Sequence, residues 1–148
     1  VLRRVTHPSG EPYCKLNHGG GCQDIPFICS YHDLPGLVAT MTDAVNASWG
    51  YPLSDLGVHI QPVCQGHGYH CELSLSYDRA SPTDSARVKD LYVTASEALM
   101  SGGAFFSRPY DLLAPLVLNR DAATRDALKT LKAIHDPNNI MNPGRLVH

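Results

Sequence analysis

The clearest pattern in the chain runs through residues 69–77, where Tyr69, Cys71, Leu73, Leu75 and Tyr77 alternate with His70, Glu72, Ser74 and Ser76. A period of two sends successive side chains to opposite faces, so this stretch predicts a strand with one packed face and one polar face. Just upstream, Leu56, Val58 and Ile60 share one face of residues 56–63 while Gly57, His59 and Gln61 share the other, which predicts a neighbouring strand. Residues 25–32 alternate only loosely, but they are short, apolar and closed by Asp33-Leu34-Pro35-Gly36, so they too read as a strand. Elsewhere the period lengthens. Val38, Met41, Val45 and Trp49 form one helical stripe over residues 37–49, stopped by Gly50 and Pro52. Val88, Leu91, Tyr92, Ala95 and Leu99 form a second, from Ser81-Pro82-Thr83-Asp84 to Gly102-Gly103. Ser81 suits an N-cap there, Pro82 the first helical position, and Asp84 approximates a capping box.

Residues 104–108 are a short aromatic strand candidate, and helical pieces are expected at about 110–118 and 121–134. The order is then β-α-β-β-α-β, which defines an α+β fold of the ferredoxin-like split βαβ kind, with C-terminal helices added. In that arrangement two helices cover one face of a four-stranded antiparallel sheet. Residues 1–24 hold Pro8, Gly10, Pro12 and Gly19-Gly20-Gly21 with little periodicity, and read as an extended linker or wrap before a domain over residues 25–148. Starting on Val1 rather than methionine, the chain reads as a fragment, a processed product or one part of a larger protein.

Helices on one side leave the other sheet face to meet solvent, a ligand or another domain. On two neighbouring strands that face carries His59 and Gln61, then His70 and Glu72. Imidazoles, an amide and a carboxylate can hydrogen-bond or exchange protons near neutrality, whereas a plain solvated face usually shows Lys, Glu and Thr. A metal reading also arises, because His67, His70 and Glu72 are close in sequence and His59 can join from the adjacent strand.

At 148 residues the chain suits one domain with a core that needs no staples. A net charge of −2 with 18% charged residues offers no broad attraction to nucleic acid or anionic membrane. Cys14, Cys22, Cys29, Cys64 and Cys71 are odd in number and contain no Cys-x-x-Cys pair, so free thiols in a reducing compartment are expected over a disulfide or zinc framework. No apolar run reaches the roughly 20 residues of a membrane span and no signal segment opens the chain, which makes the cytoplasm the expected compartment.

The residues from Leu131 to Arg145 spell Leu-Lys-x-x-x-Asp-Pro-Asn-x-Ile-x-Asn-Pro-Gly-Arg. By themselves Asp-Pro-Asn-Asn and Asn-Pro-Gly are turn punctuation that stops a helix. As a unit this ending resembles the C-terminal signature of the FAD-linked oxidases related to vanillyl-alcohol oxidase and to glycolate and D-lactate dehydrogenases. Two more blocks resemble that family: Gly102 to Tyr110 with its Phe-Phe-Ser-Arg-Pro-Tyr, and Gly57 to Glu72 with its Ile-Gln-Pro and His-x-Glu. The resemblance implies the C-terminal cap, or substrate-binding, domain of an FAD-dependent oxidoreductase that oxidises a hydroxy acid or phenolic alcohol by hydride transfer to flavin.

It further implies that an N-terminal FAD-binding domain, in cis or on a separate chain, supplies most of the flavin site, and that these residues alone are inactive. Small-molecule substrate is the expected partner, with no nucleic acid and no membrane span, and homo-oligomers are left open. Arg108 is the expected substrate-orienting residue, because a guanidinium forks onto a carboxylate or phenolate. Tyr110 either hydrogen-bonds the same anion or simply begins the next helix. His70 is the proton acceptor implied for a hydroxy acid, with Glu72 orienting it or binding substrate beside His59 and Gln61. Asn142 places an amide near the flavin or serves only as a turn residue. Some D-2-hydroxy-acid dehydrogenases of the family carry a metal on Gly-His-x-Gly-Asp-Gly-Asn-x-His with a downstream Glu-His pair. Here Gly66-His67-Gly68-Tyr69-His70 lacks the Asp-Gly-Asn insert, and Phe-Phe-Ser-Arg-Pro-Tyr replaces the Glu-His. No metal is therefore assigned. Two other functions stay open: a stand-alone ferredoxin-like binding or assembly module, and a metal-dependent site on His67, His70 and Glu72.

Overall fold

The computed structural model describes residues 20–141 and 143 of the chain. Strand β1 (Gly21–Cys29) begins inside the stretch read as a linker and ends before residue 32. The reason lies outside its own sequence. All nine residues pair antiparallel with strand β3 (Gly68–Tyr77), from Gly21 opposite Tyr77 to Cys29 opposite Tyr69. At that first pair a β-carbon on residue 21 would sit 2.7 Å from the Tyr77 carbonyl oxygen and 2.8 Å from its ring, so the glycine that looked like loop composition is what lets the strand start.

Strand β2 (Leu56–Val63) pairs antiparallel with the other edge of β3, giving a three-stranded sheet of order β1-β3-β2. Consequently β1 and β2 run in the same direction with β3 between them. The first helix, α1 (Leu34–Asn46), makes the crossover from β1 to β2. It buries Leu37, Met41 and Val45, spaced by four residues. Trp49, expected on the same stripe, lies beyond the helix end. There it is half-exposed, with the Arg87 guanidinium 5.0 Å from its ring centre.

Helix α2 (Pro82–Ser101) follows β3, and all five of the expected stripe residues, Val88, Leu91, Tyr92, Ala95 and Leu99, are buried. The Ser81 hydroxyl accepts from the Asp84 backbone N–H at 3.2 Å, as the N-cap reading requires. The Asp84 carboxylate accepts from the Asp78 N–H at 2.7 Å rather than closing the box onto Ser81. These side chains meet Ile25, Phe27, Cys71, Leu73 and Leu75 from the sheet in one core. Each large apolar side chain fully buried there contributes about 1.5–3 kcal/mol relative to exposure.

The four-stranded sheet expected from residues 104–108 is not observed. That segment contributes one bridge, in which Phe105 and Ile28 exchange backbone hydrogen bonds of 2.8 and 2.9 Å on the free side of β1. Ile28 spends both backbone groups on Phe105, and alternation along the strand turns Pro26 the same way. Pro26 has no N–H to offer a continuing ladder, and Pro109 has none to return, so pairing stops after a single residue pair.

Val58 and Ile60 share the core-facing side of β3 by register, yet remain 48% and 41% exposed, because the helices do not extend over β2. Two further helices complete the described chain: α3 (Leu113–Leu118), shorter than the expected 110–118, and α4 (Ala122–His135). The Asp121 carboxylate caps α4 by accepting from the Ala123 and Thr124 N–H groups. No residue of α4 is buried. Among the described residues no helix is long and apolar enough to cross a membrane.

Candidate functional site

Register places the polar sheet residues in rows. His59 lies opposite Glu72, which lies opposite Pro26, and Gln61 lies opposite His70, which lies opposite Ile28. All of them alternate with the buried Cys71 and Leu73, so His59, Gln61, His70 and Glu72 occupy one face, away from the helices. His59 and Gln61 are exposed, and His70 and Glu72 are half-buried on the central strand. The neighbouring row on this face joins Gly57, Ser74 and Asp24, with the Ser74 hydroxyl donating to Asp24 Oδ1 at 2.6 Å.

Arg108 and Tyr110 meet in a separate feature. A cleft of about 240 Å³ opens along the free side of β1, below the point where Pro26 ends the pairing. It is lined by Gln23, Asp24 and Pro26 of the strand, Tyr92 of α2, and Arg108, Tyr110 and Asp111 of the segment leading into α3. Arg108 and Tyr110 are exposed at its mouth, and among the described residues no carboxylate forms an ion pair with Arg108. Asp111 holds a left-handed backbone, φ +50°, which turns the chain sharply at the lip; Asp tolerates this conformation better than most residues.

Tyr92 forms the polar part of the floor. Burial is the main cause that pushes its phenol up to about 12. The carboxylates of Asp111 and Asp24 act in the same direction, against a hydrogen bond with Gln23. At neutral pH it therefore stays a neutral hydroxyl able to donate. The cleft thus combines one guanidinium, two phenols, the Gln23 amide, the carboxylates of Asp24 and Asp111 and apolar walls from Leu112, Leu113 and Pro26, which suits a small ligand with hydrogen-bonding groups on an apolar or aromatic body.

The sheet face and the cleft adjoin across β1. Pro26 belongs to both, and Glu72 is its neighbour one strand away, about 5 Å across the sheet. His59 is two strands away, about 10 Å. Sequence reasoning missed Gln23, Asp24, Tyr92 and Asp111. Tyr92 carried a signal, because a tyrosine in an otherwise apolar helical stripe must find a partner for its hydroxyl. Asp24 carried another, as the polar member of an alternation with Ile25 and Phe27.

His67, in the turn before β3, is not gathered with His70 and Glu72. No group of three or more His, Cys, Asp or Glu among the described residues is placed to hold a metal ion. Asn142 lies outside the described residues. The closing segment is described as far as Met141, and Asp136 organises it. Its carboxylate accepts from Lys132 Nζ at 2.6 Å and from the backbone N–H groups of Ile140 and Met141 at 2.8 and 3.0 Å. Lys132 Nζ also donates to the Met141 carbonyl at 2.9 Å. The Lys132 ammonium, aided by the two backbone donors, holds the Asp136 carboxyl below its ordinary value.

Comparison of the chain with protein-family models, with curated proteins and with solved structures finds no match. The cleft is too small for a dinucleotide, since ordinary small-molecule sites run to about 300–1,000 Å³. None of its lining residues is a glycine of the kind that lets backbone approach a pyrophosphate.

Proposed function

We propose that this chain is the substrate-binding portion of an FAD-dependent oxidoreductase that oxidises a hydroxy acid or a phenolic alcohol. The observation that carries the reading is the convergence of Arg108, Tyr110 and Tyr92 on one cleft beside a sheet face bearing His70 and Glu72. Arg108 forks onto the substrate carboxylate or phenolate, and Tyr110 hydrogen-bonds the same anion. His70 accepts the hydroxyl proton, with Glu72 holding the polar end of the substrate and His59 and Gln61 extending that face. FAD is held by another domain or chain, and when bound there it supplies the hydride acceptor. The β1-β3-β2 order with Phe105 on the free side of β1 supports reading the fold as ferredoxin-like, with its fourth strand cut to one bridge.

The test uses the intact protein together with its flavin domain, whether that lies on the same chain or a co-purifying one. Anaerobic addition of a hydroxy acid or phenolic alcohol is expected to bleach the flavin absorbance. Arg108→Ala is expected to slow bleaching about 10–100-fold, the equivalent of one charged hydrogen-bonding contact, at unchanged flavin content. Colourless protein, or equal rates in variant and parent, defeats the reading. The exposed His59 and Gln61 beside Glu72 on the helix-free sheet face favour a second reading, a ferredoxin-like binding or assembly module that holds a partner chain on that face. A colourless protein that co-purifies with a partner lost on His59→Ala or Glu72→Ala would favour that module.

A further inference from the structure

Cys29 and Cys71 are separated by 42 positions in sequence, yet their sulfurs lie 3.7 Å apart in van der Waals contact. They occupy the helix-covered face of adjacent strands. Cys29 lies opposite Tyr69 and Cys71 opposite Phe27, so the two are diagonal neighbours. Both thiols are free in this structure. We propose that Cys29 and Cys71 form a dithiol pair that converts reversibly to a cross-strand disulfide by exchange with a small-molecule disulfide.

Access sets the order of the steps. Cys29 is 8% exposed at the end of β1, beside the exposed Ser30 and Tyr31, whereas Cys71 is 1% exposed on the central strand. The Cys29 thiol gives its proton to solvent and attacks one sulfur of the reagent, forming a mixed disulfide and releasing one reagent thiolate. Cys71 then loses its proton and attacks the Cys29 sulfur, releasing the second reagent thiolate. Each released thiolate takes up a proton. Two protein thiols are thereby oxidised to one disulfide, and one reagent disulfide is reduced to two thiols.

The sulfurs need to close by less than about 2 Å to reach bonding distance. Burial pushes the Cys71 thiol up to about 12 and raises Cys29 as well, so exchange is slow at neutral pH and speeds up as pH rises. The bond would tie β1 to β3 across a long loop of chain, which restricts the unfolded state. Diagonal neighbours typically stand about 7–8 Å apart between α-carbons, at the wide end of what a disulfide spans, so closing the bond requires β1 and β3 to draw together locally at this pair. This inference does not depend on the proposed oxidoreductase function.

The full-length protein incubated with oxidised glutathione, then alkylated, digested and mapped by mass spectrometry, provides the test. The expected result is a peptide linking Cys29 to Cys71, formed faster in alkaline than in neutral buffer and abolished by dithiothreitol. The melting temperature is expected to rise by about 5–10 °C on oxidation and to fall back on reduction. Cys71→Ala is expected to stop at glutathione on Cys29 with no such rise. If that variant does not fold, Cys29→Ser gives the matching control, with no linked peptide and no rise. A parent protein that stays folded while Cys29 remains a thiol, keeps glutathione, or links to another cysteine overturns the proposal.

Discussion

Helices α2 and α4 both carry apolar residues at helical spacing, but they end in opposite situations. In α2 the stripe lies against the sheet and α1, and six of its residues are buried. In α4, Leu128, Leu131 and Ile134 recur every three residues and none is buried; Ile134 is 65% exposed. Amphipathic spacing states that a helix has an apolar face and does not state what covers it. The body of the protein is held by apolar burial. The segment after α4 is held by a polar knot, in which Lys132 and the backbone of residues 140 and 141 converge on the Asp136 carboxylate.

That contrast breaks most readily in the core. Leu73→Ala should destabilise the protein by about 2–5 kcal/mol in urea unfolding, because a buried leucine leaves a cavity against close-packed neighbours. Leu131→Ala, on the bare stripe of α4, should change stability by no more than about 0.5 kcal/mol. A cost for Leu131→Ala as large as that for Leu73→Ala would show α4 to be covered in solution.

A smaller effect sharpens the picture of the α2 interface. The Ser96 hydroxyl is fully buried and has no hydrogen-bond partner. Ser96→Ala removes that cost and should stabilise the protein by about 1 kcal/mol. A loss of stability on the same scale would mean that the hydroxyl is satisfied in solution.

The smallest global effect concerns the knot. Asp136 has its carboxyl held below the ordinary value, so its contribution is fully present above the unfolded carboxyl range, near 4, and is lost as pH falls through the lower folded value. Amide exchange at Ile140 and Met141 should therefore speed up, relative to free-peptide rates, only at acid pH. Asp136→Asn should bring the same loss of protection at neutral pH and leave the urea midpoint nearly unchanged. A drop in the midpoint as large as that of Leu73→Ala would place the knot inside the cooperative core.

Much of the fold was legible where local pattern and tertiary demand agree. The alternation of residues 69–77 and the α2 stripe from Val88 to Leu99 each stand where their periods predict. Legibility ended where one distant residue decided the outcome. Gly21 reads as loop until Tyr77 lies across it, and the strand expected at 104–108 fails because Pro26 faces it. The candidate site divides the same way. Alternation alone put His59, Gln61, His70 and Glu72 on one face, but not their separation from Arg108 and Tyr110 by a strand. The meeting of Tyr92, Asp24 and Asp111 with Arg108 joins three segments far apart in sequence.

What the sequence alone determined is the set of local choices: period, caps, turns, and which side of each element is apolar. These depend on residues within a few positions of one another, where backbone geometry ties spacing to direction. Only the tertiary structure decided the strand order, the truncation at Pro26, the bare stripe of α4, the cleft at Arg108 and the contact between Cys29 and Cys71. Each of these arises from residues that chain closure brings together, and spacing along the chain holds no information about distances across a packed sheet.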